Sequence, residues 1–330
     1  MSTHVRAQVV PLPQKMRAVA VKRFGGPEVL EVTTMPLPKL DQSDVLIAVD
    51  TAGVGGWDAD MRSGWSPDGK DHLPWVLGAD GSGYIAAVGS RIRRFEVGDK
   101  VYAYCWNNPK GGFYAEYAAV PAAMVAHAPL SLDMKEAGAV PVTGLTALSG
   151  IGAALNLKKG ESLIIHGASG GVGTLAVQLA KQRGARVLAI ATGQDGVALA
   201  KKLGADEAVD GHHGQVAEVC RSFAPHGVDA VLALAGGEVL EQCSKALRQG
   251  GRLAFPHGIE PEPAPREGID IIAFDATSGA YELDVLSREM AAGKFDVPIA
   301  AEYTLEQAQE AHAHLAAGNV LGKLVLRMTH

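Results

Sequence analysis

The sequence predicts an α/β fold in which a mainly β region is followed by a domain of alternating strands and helices. Three observations predict it. The chain has 330 residues, more than one hydrophobic core usually fills, so two domains are expected. Up to about Val125, short β-like runs are separated by Gly, Pro, Asp and Ser. From Leu130 onward, apolar β runs alternate with helix-length amphipathic segments, the pattern of βαβ units and a parallel sheet.

In chain order, "MSTHVRAQVVPLPQK" lacks a continuous apolar stretch of signal-peptide length and holds two prolines, so residues 1–15 are expected to form a loose tail without an export signal. The runs "MRAVAVKRFG", "LEVTTMPLP", "DVLIAVDTAG", "GSGYIAAVGS", "DKVYAYC" and "YAEYAAVP" read as an antiparallel sheet or partial barrel. The stretch Ala137–Leu157 has no charge over a membrane-spanning length. Pro141 and its many small residues make it a buried helix followed by a turn rather than a span.

Beyond it, "SLIIHGA", "RVLAIAT", "DEAVDG", "VDAVLALAG" and "GGRLAFPHG" read as strands. "VGTLAVQLAKQRGA", "GVALAKKLGA", "VAEVCRSFAP" and "VLEQCSKALRQGG" read as the helices between them. After about Ser278 come a helix in "LDVLSREMAAGKF", a short strand, a helix in "TLEQAQEAHAHLAAGN" and a closing strand "GKLVLRM".

The segment "SLIIHGASGGVG" carries the chemistry. Gly167, Ala168, Ser169, Gly170, Gly171, Val172 and Gly173 lie between a strand and a helix opening near Val172. A helix N-terminus offers unpaired N–H groups and partial positive charge, and glycine lets a pyrophosphate approach the backbone. With "RVLAIA" following at the βαβ distance, the context is that of a Rossmann dinucleotide site. Ala191, Thr192 and Gly193 stand where an NAD-selective site places Asp or Glu on the ribose, so a 2′-phosphate is admitted and NADPH is expected over NADH. Asp195 opposes that choice if it points inward, and Lys201, Lys202, His212 and His213 are the nearby positive or chargeable groups.

Together with "AGVGGWDADMRSG", "LGADGSGYIAAVGSRIRRFEVGDKVYA", "GGFYAEYAAVP", "VPVTGLTAL" and the terminal "GKLVL", this motif resembles the medium-chain dehydrogenase/reductase superfamily, specifically its zinc-free quinone oxidoreductase (zeta-crystallin-like) branch, from about Met16 to Arg327. The resemblance implies a GroES-like β domain formed by residues 16–135 and 279–330, a Rossmann domain at 136–278, and an acceptor in the cleft between them. Where zinc relatives offer a Cys ligand this chain has Gly55. A following His position holds Asp60, and a His-Glu pair reads Ala79 and Asp80, so catalytic zinc is not expected.

A metal-free hydride acceptor must delocalise charge onto an oxygen, which quinones and α,β-unsaturated carbonyls do. The branch commonly has Asn at Gly55 and Tyr at Asp60, so two polar groups that usually line its cleft are absent. Trp57 and Trp106 are candidates to rebuild that wall as flat surfaces, and Asp60 is either a pocket acid or a helix-capping one. No residue is assigned as an obligatory general acid. By resemblance Thr146 lies near the nicotinamide and Lys323 near the cofactor phosphates. Gly196 and Gly211 replace the branch's usual Lys and Tyr, a loss His212 partly offsets. The turns at Ala235, Gly236, His257 and Gly258 are expected along the nicotinamide half, at strand C-terminal ends.

The remaining signals bound the function. A net charge of −6 with no basic stripe disfavours nucleic acid. Cys105, Cys220 and Cys243, without a CxxC pair, form neither a disulfide framework nor a structural zinc lobe, which suits a reducing cytoplasm. His312 and His314, two apart on a helix, face different sides and are read as surface residues. The apolar "IIAFDAT", Ile271–Thr277, lies where the family pairs edge strands, so a homodimer is expected. The expected activity is therefore NADPH-dependent reduction of quinones. An enoyl or 2-alkenal reductase, or a cofactor-binding structural or regulatory protein with little turnover, are the alternatives.

Overall fold

The computed structural model describes residues 12–66 and 73–329. Of the expected tail, residues 1–11 lie outside the described residues, and Lys15 already opens a strand. The first half of the chain contains β1 (Lys15–Val21), β2 (Leu30–Pro36), β3 (Asp44–Val54), α1 (Gly56–Ser63), β4 (Trp75–Val76), β5 (Asp80–Val88), β6 (Lys100–Tyr104), β7 (Tyr117–Pro121), β8 (Val125–His127) and α2 (Met134–Ala139). Then follow α3 (Pro141–Ser149), β9 (Ser162–His166), α4 (Gly171–Gln182), β10 (Arg186–Ala191), α5 (Gly193–Lys202), β11 (Glu207–Asp210), α6 (Val216–Phe223), β12 (Val228–Ala233), α7 (Glu238–Lys245), β13 (Leu247–Pro256) and β14 (Asp270–Phe274). The chain closes with α8 (Ala280–Ala292), β15 (Ile299–Thr304), α9 (Ala308–Ala317) and β16 (Lys323–Arg327).

Strands β9 to β14 form a parallel sheet in the order β11-β10-β9-β12-β13-β14, the 3-2-1-4-5-6 order of a doubly wound dinucleotide fold. Its central strand β9 is buried at every residue, as a strand covered by helices on both faces must be. Ile165 packs with Leu145, Leu175 and Leu283 on one face, and Ile164 with Leu188, Phe223 and Leu240 on the other. The strands of the first half form an antiparallel sheet around β3 and β5 and a smaller one around β1. Strand β16 adds to the larger sheet by pairing antiparallel with β3, so the C-terminus completes what the N-terminus begins.

The two halves share apolar packing. Ala79 just before β5 and Tyr102 and Tyr104 of β6 belong to the same buried cluster as Leu145, Leu163 and Leu286. The Tyr102 hydroxyl donates to the Leu283 carbonyl at 2.6 Å, which fixes α8 against β6.

Three local expectations are corrected. The uncharged stretch Ala137–Leu157 is two helices, not one. Pro141 opens α3, whose end runs into a π-helical turn at Gly150–Ala154, and Gly144 and Gly150 admit Leu286 and Phe274 at close range. No described helix is long and apolar enough to cross a membrane. Helix α7 stops at Lys245 instead of continuing toward Gly251, because Leu247 pairs with Val228 and is drawn into β13. Helix α8 begins at Ala280, three residues before the expected Leu283.

His312 is not a surface residue. It is 1% exposed on α9, with Nδ1 3.0 Å from the Arg62 Nη1 and Nε2 3.1 Å from the Tyr114 hydroxyl. A guanidinium only donates, so Nδ1 accepts and the single ring proton sits on Nε2, donating to Tyr114. His314, two residues on, meets the Tyr303 hydroxyl at 2.7 Å.

Burial and the adjacent Arg62 lower the His312 pKa to about 4. An unfolded histidine titrates near 6.5, so this group's contribution is complete above that pH and is lost as pH falls toward 4, in total about 3 kcal/mol. Calorimetric melting of wild type and His312→Asn should show wild type losing more stability than the variant between pH 6.5 and 4. Parallel curves would contradict the assignment.

Candidate active site

A cleft of about 1190 Å³ opens between the β strands and the parallel sheet. On the parallel-sheet side, β9 ends at His166 and the chain turns through Gly167, with φ +86°, and Gly170 to start α4. A Cβ on Gly173 would lie 2.2 Å from the Gly167 carbonyl oxygen and 2.6 Å from the Ala168 Cα, so only glycine lets the helix seat against the turn. The first turn of α4 thus points its N–H groups, which a helix cannot satisfy internally, into the cleft.

Most sequence-predicted residues come together here. Gly55, Trp57, Asp60, Trp106, Thr146, Gly167, Gly170, Gly171, Val172, Gly173, His257, Gly258 and Lys323 all line the cleft. Ala168 and Ser169 are buried behind the turn, where the Ser169 hydroxyl accepts from Thr192 N–H at 3.1 Å. Thr192, Gly193 and His212 gather outside it, at the ends of β10 and β11. The Asp210 carboxylate accepts from Gly193 N–H at 3.1 Å and His212 N–H at 3.0 Å, and those bonds hold it below the usual carboxylate range. Ala235 and Gly236 follow β12, with Gly236 pressed against the Glu260 carbonyl. Asp195 is exposed on the first turn of α5.

The opposite wall is aromatic. Trp57 on α1, Trp65 just beyond it and Trp106 after β6 form one group, with ring centroids 5.1, 6.0 and 6.3 Å apart. Trp57 and Trp106 were legible as candidates, but Trp65 was not: it joins them only because α1 ends at the left-handed Gly64 and the chain turns back toward the cleft. At the far rim, His257 and Asp275 form a 3.1 Å pair.

Beneath the floor lie three charged groups that sequence reasoning left apart. Asp58, Asp80 and Lys323 are 1%, 1% and 7% exposed. The acid that caps α1 is Asp58 rather than Asp60: it accepts from Gly55 N–H at 2.9 Å and from Gly78 and Ala79 N–H at 3.1 and 3.2 Å. Its spacing three residues after Gly55 was the available signal. Asp80 accepts from Val142 N–H at 3.0 Å, which ties β5 to α3. Lys323 is no surface lysine, and it faces both carboxylates.

This donor set does not suit zinc. Gly55 and Ala79 present no ligand atoms, and both Asp58 oxygens and one Asp80 oxygen accept backbone N–H groups.

Comparison with known proteins agrees with this architecture. Residues 41–130 match the alcohol dehydrogenase GroES-like domain and residues 171–275 match the zinc-binding dehydrogenase family model. The quinone oxidoreductase of Mus musculus is 31% identical, over 94% of this chain and 97% of its own. A solved structure described as an NAD-dependent alcohol dehydrogenase is 33% identical with a TM-score of 0.88, covering 95% of this chain and all of that one. A mycobacterial protein complexed with NADPH is 27% identical with a TM-score of 0.82, covering 94% and 99%.

Burial, and then the neighbouring Asp80, push the Asp58 pKa up to about 6, above an unfolded value near 3.8. The folded protein therefore binds this proton more tightly. The Asp58 contribution to stability is greatest below pH 4, falls as pH rises to 6, and differs by about 3 kcal/mol across that window. Melting curves of wild type against Asp58→Asn should show the wild type losing ground as pH rises from 4 to 6, opposite in sign to the His312 comparison. A difference independent of pH would contradict it.

Proposed function

Because the chain belongs to the medium-chain dehydrogenase/reductase superfamily, in its quinone oxidoreductase branch, we propose that it is a zinc-independent, NADPH-dependent reductase of quinones. The observation that carries this reading is the cleft itself: a glycine cradle for phosphate on one wall, three tryptophans on the other, and ligand-poor positions where a metal would need donors.

In this reading the N–H groups of Gly170, Gly171, Val172 and Gly173 hold the pyrophosphate. Thr192, Gly193 and His212 border the adenosine ribose, with Thr146, Ala235, Gly236, His257 and Gly258 along the nicotinamide half. Bound NADPH supplies the hydride. NADPH is preferred over NADH because β10 runs into Ala191, Thr192 and Gly193 rather than Asp or Glu, Asp195 is exposed, and the Asp210 carboxylate beside Gly193 has one oxygen engaged by Gly193 and His212 N–H groups.

The chain's own residues do the positioning. A planar acceptor packs face-on against Trp57 and Trp106, with Trp65 closing the rim, and the apolar enclosure excludes water from the reacting atoms. Strand β14 forms an edge of the parallel sheet, which supports a homodimer built edge to edge.

The test follows NADPH and NADH absorbance against a panel of quinones and enones. Preferential NADPH loss with quinones is expected. Loss only with enones, faster loss of NADH, or NADPH binding without turnover would each overturn the corresponding part of the reading. Trp57→Ala should raise the KM for 1,4-naphthoquinone about tenfold, the upper end of what one aromatic contact contributes, while leaving NADPH affinity unchanged. An unaltered KM would remove the tryptophan wall from the substrate site.

A further inference from the structure

We propose that the Tyr104 hydroxyl is the donor that holds the acceptor's carbonyl oxygen and stabilises the charge arriving there; the inference rests on the reductase reading above and adds the group that selects carbonyl acceptors. Position comes first. Tyr104 ends β6 directly opposite Asp80 of β5, two residues before Trp106 of the aromatic wall. It is 5% exposed, in the same apolar cluster as Ala79, Leu145 and Phe274, and yet it lines the cleft. The charge of Asp275, which follows β14 on the parallel-sheet side, reaches it as well. Tyr104 therefore stands where the β strands meet the parallel sheet, at the deep end of the tryptophan wall.

Its hydroxyl differs from those of its buried neighbours. Tyr102, two residues earlier on the same face of β6, donates to the Leu283 carbonyl at 2.6 Å, and the Tyr114 hydroxyl meets His312 Nε2 at 3.1 Å. The Tyr104 hydroxyl has no hydrogen-bond partner among the described residues. Nor is it sealed in the core as the unpartnered His166 Nδ1 and Arg252 Nε are, so it opens on the cleft that the residue lines. The other hydroxyls of the described lining are committed: Ser63, Thr143 and Thr146 donate to the carbonyls of Ala59, Ala139 and Val142 at 2.8, 2.9 and 2.8 Å. A hydroxyl this deep without a partner costs stability, and a ligand that accepts from it removes that cost.

Burial, and then the charges of Asp80, Asp275 and Asp58, push the phenol well above its usual range, so it stays protonated and donates. Lys323 faces Asp58 and Asp80 and offsets their charge. The chemistry balances without a further reactant. An acceptor that takes a hydride gains two electrons and one hydrogen, and the charge comes to rest on its carbonyl oxygen. The Tyr104 O–H bond stays intact and donates to that oxygen, and the reduced acceptor, released as an anion, takes its proton from water. A molecule without a carbonyl oxygen leaves the hydroxyl unpaired and is selected against.

The experiment uses purified full-length protein loaded with NADP+, which prevents turnover, and 1,4-naphthoquinone as the probe. The carbonyls of this quinone are equivalent in solution, so a hydrogen bond to one of them splits the carbonyl band in infrared difference spectra. Wild type should split the band. Tyr104→Phe, which keeps the ring and removes the hydroxyl, should return a single band. In NADPH kinetics it should lower kcat about a hundredfold, the loss of one donor to a developing oxyanion, with a smaller rise in KM because most of the charge arrives after binding. NADPH affinity, read by calorimetry, should not change. Fluorotyrosine in place of Tyr104, a stronger donor of nearly the same shape, should widen the split.

A wild type that binds the quinone with an unsplit band, or binds none, would overturn the proposal whether or not the variants fold. So would Tyr104→Phe with the band still split or with wild-type kcat, and so would a split that fluorotyrosine leaves unmoved. Weakened NADPH binding in Tyr104→Phe, with the band still split, would make the tyrosine a cofactor contact instead. If the split depends on Tyr104 but wild type reduces no quinone with NADPH, the oxygen site stands and the reductase reading falls.

Discussion

The rest of the structure depends on the burial of Lys323 against Asp58 and Asp80. Charged groups removed from water cost several kcal/mol each unless they are paired and hydrogen-bonded. Here the carboxylates accept backbone N–H groups from Gly55, Gly78, Ala79 and Val142, so helix α1, the approach to β5, and α3 are all fastened to one charged centre. The counter-charge arrives from the last strand of the chain. A segment from the C-terminus thus closes the floor of a cleft whose walls come from the middle and the beginning.

That centre extends away from the cleft as well. The Tyr114 hydroxyl, in the field of Asp58, accepts from His312, which in turn accepts from Arg62, and Arg62 donates to the Gly25 carbonyl at 3.1 Å. A line of polar groups therefore crosses the β core from α1 to α9. Because every member must find a partner, the line fixes how α9 and α1 pack on the sheet, which in turn fixes where Trp57 stands.

What the sequence disclosed and what it hid divide along contact range. The strand, turn and helix around "HGASGGVG" are local, so their residue types announce both the fold and the glycine turn. Trp57 and Trp106 could be named as a wall because aromatic residues in loops are conspicuous. Lys323, Asp58 and Asp80 could not be joined, since each comes from a different element and they meet only after β16 has docked on β3. His312 failed for the same reason: Arg62 and Tyr114 lie 250 and 198 residues away in the chain, and a helix with mixed faces gives no hint of them. The acid that caps α1 is Asp58 and not Asp60, a distinction set by where α1 begins.

The central claim is that the cleft brings a nicotinamide face against a planar acceptor held on tryptophan. Its most direct measurement is reduction of 1,4-naphthoquinone by NADPH deuterated at one or the other C4 position. A primary isotope effect with one label and none with the other is the result this account predicts, because the cleft walls differ and present only one ring face. Equal behaviour of both labels, or no turnover with NADPH bound, would contradict it.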